Sequence, residues 1–467
     1  MDRSRLSLKP CRSVRWVEDP FVMAQNFIGC DRDQVLLLPP DLGEWLPEGH
    51  LARFVIEAVD QLDLSGVYGY YRQDGHGRPA HDPAMMVALL LYSYAVGVIS
   101  SRAIERRCVD DVAFRVISAN VQPDHSTVAR FLVRHRDQVQ DLFSQVLALC
   151  RRAGMVRAGT IAVDSTKLAA NASASQNRTL EGLEAEAARI IDEAIETDRR
   201  EDELYGEKRG DELPDDLADP RTRKARIREL LEQARAEREQ AEAEREQLLA
   251  EHAEHLARTG KRKPGRPAKR EGVKRQRQQL RNKKYNLTDP DSGLVRARSG
   301  SFIQGYNIQT VATEDQVVLA VRATGINADQ GQLAPSVQAA AQALERIGVA
   351  EPIGEVLADS GYWNISQVRQ LQQQRMRVLL PPPGVNVDSP QRLHPVARSM
   401  LTGLETDAGK AAYRKRQALI EPVFAHWKHI RGITRVLRRG RTAVQAEIEL
   451  IATSHNLLKL RTALQAA

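Results

Sequence analysis

Three carboxylates lie in sequence contexts that suit metal-assisted phosphoryl chemistry. Asp164 lies in TIAVDSTKL and Asp359 in EVLADSGYW, so each follows a short apolar run typical of a buried strand. Glu421 lies in YRKRQALIEPVFAHWK, an amphipathic segment rich in Arg and Lys that favours a helix. Two strands and a helix can gather such carboxylates around two divalent ions, an arrangement that cuts and rejoins phosphodiester bonds.

The chemistry of such a site determines what each carboxylate would do. Mg²⁺ keeps several of its waters and needs only a few carboxylates, so Asp164 could lie between two ions, with Asp359 on one and Glu421 on the other. Each residue also has a structural interpretation, which stays open. Asp164 could end a strand or cap a helix, Asp359 could form a turn, and Glu421 could cap a helix that opens at Pro422.

The composition sets broad limits on the kind of protein. A length of 467 residues predicts two to four domains, and 42% hydrophobic residues are enough for a sizeable core. The net charge of +7 suits a polyanionic partner but is equally compatible with an ordinary basic soluble protein. The four cysteines include no CxxC pair, which argues against a zinc ribbon or a disulfide framework and favours a reducing cytoplasm.

No segment has the properties of a membrane span or a secretory signal. The most apolar stretch, 85–100, is too short to cross a bilayer and predicts a buried helix. The N-terminus has no apolar core of the kind that signal peptides carry. Met23 offers a second plausible start, so residues 1–23 are expected to be a disordered extension or to lie before the true start codon.

Residues 24–155 predict a helical N-terminal domain. Apolar residues recur at helical spacing in 51–62, 82–97, 100–118 and 124–154, and Ser100 and Asp124 are suitable N-cap residues. The segment NVQPDHSTVARFLVRH resembles the second half of a helix-turn-helix. In that interpretation the front of the helix faces DNA; the alternative is a plain helical hairpin. The DNA-facing residues would be Ser126, Thr127 and Arg130.

A long polar insertion separates two globular patterns. Residues 170–258 contain two stretches of strong helix formers without sustained heptads, which predicts a protruding antiparallel helical hairpin. The basic run 259–284 follows, and its centre KPGRPAKR is similar to an AT-hook, in which Arg266 would enter the minor groove of A·T-rich DNA. The alternative is a solvated basic linker.

The remaining segments, 156–169 and 285–467, predict one α/β core. The strand at Asp164 is followed by two antiparallel strands over 295–313 and 316–324, and then by helices alternating with strands. This order is compatible with a ribonuclease-H-like mixed sheet. The predicted fold class is therefore α+β or α/β: a helical N-terminal domain and a ribonuclease-H-like catalytic core interrupted by an inserted helical hairpin.

Several motifs resemble one family. They are AVDSTKLAANAS, YNLTDPDSGLVRARSGSFIQGYNIQTV, LADSGYW and EPVFAHWKH, and they resemble bacterial insertion-sequence transposases with a DDE triad. The segments PAHDPAMMVALLLYSYAVG and PDHSTVARF resemble the InsH-type N-terminal domain of the same group. The resemblance covers about 24–460. It implies a ribonuclease-H-like core and DNA cleavage and strand transfer at the terminal inverted repeats of a mobile element.

The resemblance also implies roles for individual residues. Asp164, Asp359 and Glu421 would be the catalytic acids and would hold two Mg²⁺ ions, for which Mn²⁺ can substitute. The family signature around the third acid places Tyr413, Arg416 and Lys428 near the DNA, although four residues rather than three separate Arg416 from Glu421. The implied partner is double-stranded DNA, bound by a homodimer that assembles on it, in the cytoplasm at the nucleoid.

Two other functions remain open at the level of sequence. A transposase-derived regulator would keep the basic surfaces and lose the chemistry, which the intact acidic set argues against. A structure-specific nuclease of the same fold would cut DNA without joining it. Inverted repeats flanking the coding region would distinguish a transposase from both.

Overall fold

The structure is a computed structural model. It describes residues 42–71, 80–186, 220–259, 283–297, 300–383 and 394–466. The predicted extension at 1–23 and the AT-hook-like sequence around Arg266 lie outside these residues.

Short helices make up the N-terminal part of the described chain. They are α1 (Leu51–Val59), α2 (Ser65–Tyr68), α3 (Pro83–Ala95), α4 (Ser101–Asp110), α5 (Val112–Ile117), α6 (His125–Arg134) and α7 (Val139–Arg152). Helix α3 begins with a capping Asp82, which accepts a hydrogen bond from the Met85 N–H at 3.2 Å, and with Pro83 in its first turn. Almost all of its side chains are buried, so α3 is the central helix of this part.

Two segments that predict single helices are broken in the structure. Within 100–118 the chain is extended at Asp111, whose carboxylate then caps α5 by accepting from the Ala113 N–H at 2.9 Å. Within 124–154 the break falls at His135, after which a short 3-10 turn leads into α7. Side-chain capping by Asp111 explains the first break, and periodicity alone does not show where either helix stops.

A mixed sheet forms the centre of the molecule. Its strands are β1 (Thr160–Ala169), β4 (Gly293–Arg296), β5 (Phe302–Thr313), β6 (Val318–Thr324), β7 (Glu355–Ala358) and β8 (Arg377–Leu379). The long path runs in the order β6–β5–β1–β7–β8, and β4 also pairs with β5. Strand β5 is antiparallel to β1 and β6, whereas β7 is parallel to β1 and β8.

The segment 295–313, which predicts one strand, is a hairpin of β4 and β5. Gly300 has φ of +87°, a value that glycine adopts without strain, and the Ala297 N–H donates to the Ser301 carbonyl at 2.8 Å. The reversal at Gly300 divides the predicted strand into two. The following strand, β6, is found where the sequence predicts it.

Helices cover both faces of the sheet. They are α9 (Leu333–Arg346), α10 (Ile365–Gln373), α11 (Pro395–Glu405), α12 (Asp407–Ala425) and α13 (Arg441–Ala466). Helix α12 continues through Pro422 and ends in a wider π-helical turn, His426–Ile430, so Glu421 lies inside a helix and does not cap one at Pro422.

One continuous hydrophobic core joins the N-terminal helices to the sheet. Helix α13 packs against α3, α7 and β6, and its middle is buried. Arg431 is buried in the same contact: its guanidinium donates to the carbonyls of Tyr94 and Ile451 and to the Ser454 hydroxyl. The predicted boundary at 155 therefore crosses a shared core, and the domain division remains a prediction.

The described parts of the insertion are mainly helical. Residues 180–186 are helical, and α8 (Pro220–Thr259) is a 40-residue helix. At the base, β2 (Asn177–Arg178) pairs with β3 (Tyr285–Asn286) in a separate two-stranded sheet. A small apolar cluster of Leu183, Leu230, Ala234 and Tyr285 packs there, apart from the main core.

Two further observations concern the described residues alone. None of their helices has both the length and the apolar character that a membrane crossing requires. Cys108 and Cys150, the two cysteines that the structure describes, are buried free thiols.

Candidate active site

Asp164 and Asp359 lie side by side on neighbouring parallel strands. Val163 of β1 is in register with Ala358 of β7, so the next residue of each strand is an aspartate. Because side chains alternate along a strand, the two carboxylates project from the same face of the sheet. Asp359 also accepts a hydrogen bond from the Gly361 N–H at 2.9 Å and thereby caps the short turn Ser360–Tyr362.

The carboxylate of Asp164 is largely buried and only partly compensated. Its Oδ1 accepts from the Ser165 N–H at 2.7 Å, and its Oδ2 accepts from Arg416 Nη1 at 2.9 Å. The side chains of Arg416 and Asp164 are 12% and 18% exposed. Burial raises the pKa of Asp164 to about 6; nearby Asp359 raises it further, and the Ser165 N–H and Arg416 lower it. This centre would therefore gain stability from additional positive charge.

Glu421 does not join the two aspartates in the structure. It is exposed on α12, and a spacing of five residues places it about 140° around the helix from Arg416, which does contact Asp164. Within the described residues, no group of three or more His, Cys, Asp or Glu side chains is arranged to hold a metal ion. The complete triad therefore remains a prediction.

The basic residues predicted near the third acid point into the site. Lys428 Nζ donates to the backbone carbonyl of Lys167 at 2.8 Å, and the Arg416 guanidinium carbon lies 5.9 Å from the centre of the Tyr413 ring. Burial raises the pKa of Tyr413. Arg416 and Lys428 thus tie α12 and the π-helical turn to β1, and a role in DNA contact remains a prediction for all three.

The residues predicted to face DNA from α6 surround the start of that helix. Asp124 caps it by accepting from the Thr127 N–H at 2.7 Å and from the Ser126 hydroxyl. Arg130 reaches back to the Ser126 carbonyl at 3.3 Å. Ser126 and Arg130 are exposed, so the helix front presents polar side chains to solvent while satisfying its own backbone.

Sequence reasoning missed a polar network beside the acids. Its members are Ser165, Lys167, Asn307, Gln309, Asp329 and Tyr362. Lys167 was within reach of inference, since it follows Asp164 by three residues in DSTKL. Asp329 carried no signal, because NADQG predicts an ordinary turn.

Gly361 leaves room between two carboxylates. A Cβ added there would lie 3.0 Å from Asp359 Oδ1 and 3.8 Å from Asp329 Oδ2. A side chain at Gly361 would therefore crowd Asp359, and glycine lets the turn pass close to this carboxylate. The carboxylate oxygens of Asp359 and Asp164 are ligands suited to a hard divalent cation.

The fold and this site define a mixed α/β protein with two neighbouring acids, one within β1 and one directly after the parallel strand β7. Two family models match the chain: "Transposase domain (DUF772)" over residues 40–134 and "Transposase DDE domain" over residues 382–461. The first match spans α1 to α6, and the second spans α11, α12 and most of α13, with Glu421 and Lys428. Together these matches support a DDE transposase of the insertion-sequence type. Neither the curated proteins nor the solved structures give a match.

Proposed function

We propose that the chain catalyses metal-dependent DNA cleavage and strand transfer at the terminal inverted repeats of an insertion sequence. The observation that carries this proposal is the pair Asp164 and Asp359, which stand next to each other on β1 and β7 with one of them buried. A pair of acids with one largely buried member is costly for a protein without metal and suits a site that receives cations.

The sheet supports a ribonuclease-H-like core. An antiparallel run β6–β5–β1 continues into the parallel strands β7 and β8, with Asp164 midway along β1 and Asp359 directly after β7. The sequence itself predicts only the order of the elements along the chain, with which this sheet is compatible. The match of the N-terminal helices to a transposase domain supports, at a coarser level, the proposed InsH-type N-terminal domain.

The residues present fit divalent cations. Asp164 and Asp359 would hold Mg²⁺ or Mn²⁺ through their carboxylate oxygens. Glu421 is proposed as the third ligand, although in this structure it is exposed on α12. A two-ion site supplies Lewis acidity to the attacking and the leaving oxygen.

The chain's own groups would position the DNA strand. Arg416 binds Asp164 through Nη1, and the same guanidinium would donate to a phosphate oxygen once cations occupy Asp164. Lys428 and Tyr413 border the same helix surface. Phosphate contacts of this kind set the register of the strand and leave sequence recognition to other elements.

Sequence recognition is proposed to lie in the N-terminal helices and the basic linker. Ser126, Thr127 and Arg130 form the exposed front of α6, and Arg266 would add minor-groove contact. Double-stranded DNA is the proposed partner, with a homodimer assembled on it, and the proposed location is the cytoplasm at the nucleoid.

Asp164→Asn tests the proposal directly. Asn keeps nearly the same shape but offers no charge to a divalent ion, so cleavage in Mg²⁺ or Mn²⁺ should be lost while DNA binding persists. The substrate is a duplex with the inverted repeats that flank the coding region, assayed for cleavage and by gel shift. Glu314→Gln, at an exposed acid paired with Lys415, is the matched control.

The same assay separates the alternatives. Joined products in the wild-type reaction support a transposase, whereas cut products without joining support a nuclease of the same fold. Cleavage by Asp164→Asn at the wild-type rate would remove Asp164 from the site. Specific binding without any cleavage by the wild-type protein would favour a regulator.

A further inference from the structure

A polar network lies on the face of the sheet opposite Asp164. The ammonium of Lys167 donates to Ser165 Oγ and to Asn307 Oδ1, both at 2.8 Å, and it pairs with Asp329 at 3.5 Å. The side chains of Lys167 and Asp329 are only 18% and 19% exposed. The ammonium therefore has a partner for each of its three N–H groups and is held in one place.

Asp329 is the main acceptor of this network. Its Oδ1 accepts from Asn307 Nδ2 and from Gln309 Nε2, each at 2.8 Å. Asn307 also donates to the carbonyl of Ile326 at 3.1 Å, which ties the loop of Asp329 to β5. These bonds, together with the pairing to Lys167, hold the carboxylate from three directions.

The network reaches the turn of the second catalytic acid. Gln309 gives its amide N–H to Asp329, so its carbonyl oxygen faces the other way and accepts a hydrogen bond from the Tyr362 hydroxyl. Tyr362 is fully buried and ends the turn that Asp359 caps. A chain of hydrogen bonds thus runs from Asp329 to the turn that carries Asp359.

Stability alone is a weak reason for this arrangement. A buried ion pair costs desolvation that its own attraction barely repays, and apolar residues of similar volume often serve stability as well or better. A fully satisfied polar network does fix orientation, however, because each donor has only one acceptable direction. The network touches β1 next to Asp164 and the turn next to Asp359, where orientation matters most.

We propose that Asp329 is a positioning residue of the active site. It holds Lys167 on the strand that carries Asp164. Through Gln309 and Tyr362 it also fixes the turn that carries Asp359. The proposal rests on the proposed function, since it assigns Asp329 to the geometry of the same two acids.

Asp329→Asn is the test variant, with Glu314→Gln as the control of equal charge change on an exposed pair. The cleavage rate should fall about 10- to 100-fold, the usual effect of losing a group that orients metal ligands. The half-saturating Mg²⁺ concentration should rise, and DNA binding in a gel shift should be unchanged. A purely structural role would lower the melting temperature and leave the Mg²⁺ requirement unaltered.

Two measurements do not depend on cleavage. Without DNA, Mg²⁺ should raise the melting temperature of the wild-type protein more than that of Asp329→Asn, since a ligand stabilises the state that it binds. In a double-mutant cycle of unfolding, Asp329→Asn and Tyr362→Phe should be non-additive, because the two residues share one hydrogen-bonded path.

The outcomes distinguish the two proposals. An Asp329→Asn protein with the wild-type rate and Mg²⁺ dependence, alongside an inactive Asp164→Asn protein, overturns the role of Asp329 and leaves the proposed function standing. An inactive wild-type protein refutes the proposed function, and the unfolding cycle then still tests the network. Strict additivity in that cycle overturns the path from Asp329 to Tyr362.

Discussion

Arg416 and Lys428 show how single residues serve the apo site. One neutralises part of the charge on Asp164, and the other binds the backbone of β1 next to Lys167. Both residues were predicted to contact DNA, and the structure shows each of them in a contact within the protein. A cation held against a buried carboxylate stabilises the folded protein, because an isolated buried carboxylate is strongly disfavoured.

Arg416 and Lys415 are neighbours on α12, and their ion pairs differ in burial. Arg416→Met should lower the free energy of unfolding, measured without metal at pH 8, by about 3 kcal/mol, because it leaves the buried carboxylate of Asp164 uncompensated. Lys415→Met is the control: its pair with Glu314 is 55% and 45% exposed, so about 1 kcal/mol or less is expected. If urea unfolding gives equal losses of stability for the two variants, the contact with Asp164 stabilises the fold no more than the exposed pair does.

The sequence predicted part of this site for a physical reason. An acid that follows an apolar run marks where the apolar part of a strand stops, and two parallel strands in register bring such acids together, as Asp164 and Asp359 are. Strand β1 itself continues beyond Asp164 to Ala169. The network around Asp329 was not predictable, because it joins residues from β1, β5 and two loops. Contacts over more than 100 positions leave no local pattern.

At the scale of elements, apolar periodicity predicted the type of each segment better than its limits. The helices around α3 and the strands β1, β5, β6 and β7 form where the pattern places them. The misses are breaks within a pattern, at Asp111 by capping and at Gly300 by a turn. Both depend on one residue whose local geometry overrides the surrounding propensity.

Helix α12 also departs from simple expectation. It runs through Pro422 and widens into the π-helical turn His426–Ile430 before Lys428 reaches β1. A π-helical turn changes the angular relation between residues before and after it. Counting about 100° per residue from Arg416 therefore does not predict the direction of Lys428, which lies within the π-helical turn.

The insertion is expected to be dispensable for folding. A variant in which Asn-Gly replaces residues 179–284 should still fold, because Arg178 and Tyr285 are already paired and Asn-Gly closes a two-residue hairpin. The cluster at the base is separate from the main core. We expect a loss of about 1 kcal/mol, or a melting shift of about 2–4 °C.

Calorimetry and near-ultraviolet circular dichroism would measure that result. A replacement that leaves a longer loop between the same two residues, such as Asn-Gly in place of 183–281, is the control and should be slightly less stable, since a longer loop costs more closure entropy. A collapsed, non-cooperative product from the first replacement would show that the insertion is part of the folding core.

At the scale of the whole molecule, the buried Arg431 lies where the N-terminal helices meet the C-terminal part of the chain. Its donors satisfy carbonyls on α3 and α13, and Gly97 allows the close approach, since a Cβ there would lie 2.1 Å from the Arg431 carbonyl oxygen. Burial lowers the pKa of Arg431 to about 9. The sequence predicted separate domains, but the shared core explains why α13, far along the chain, packs against α3 and α7.

Two histidines beside this junction make folding sensitive to pH. Burial lowers the pKa of His426 to about 4 and that of His455 to about 3, and Arg431 lowers both further. Their rings lie 5.3 Å apart, and the Nδ1 atom of each is buried without a hydrogen-bond partner among the described atoms. Protonation in the folded state would thus bury a charged N–H group without an acceptor.

The sign of the effect follows from linkage. Below the ordinary histidine pKa of about 6.5, the two histidines bind protons in the unfolded chain but not in the folded protein. Their contribution to the free energy of unfolding is therefore present above that pH and is lost as the pH falls toward 4. Each histidine should contribute a slope of up to about 1.4 kcal/mol per pH unit in this window. His455→Gln, which can still donate to the Gln316 carbonyl, removes one of the two contributions.

The measurement is urea unfolding of wild type and His455→Gln between pH 4 and 8. Below about pH 6.5 the stability of the wild-type protein should fall relative to that of the variant. Above about pH 7 the two curves should run parallel, which serves as an internal control for the packing change. Subtracting the stability of the variant from that of the wild-type protein at each pH also removes the opposing contribution of Glu447 and Glu449, whose pKa values burial raises. A constant difference across the whole range would mean that His455 is protonated as easily in the folded protein as in the unfolded chain, and that this junction is open to water.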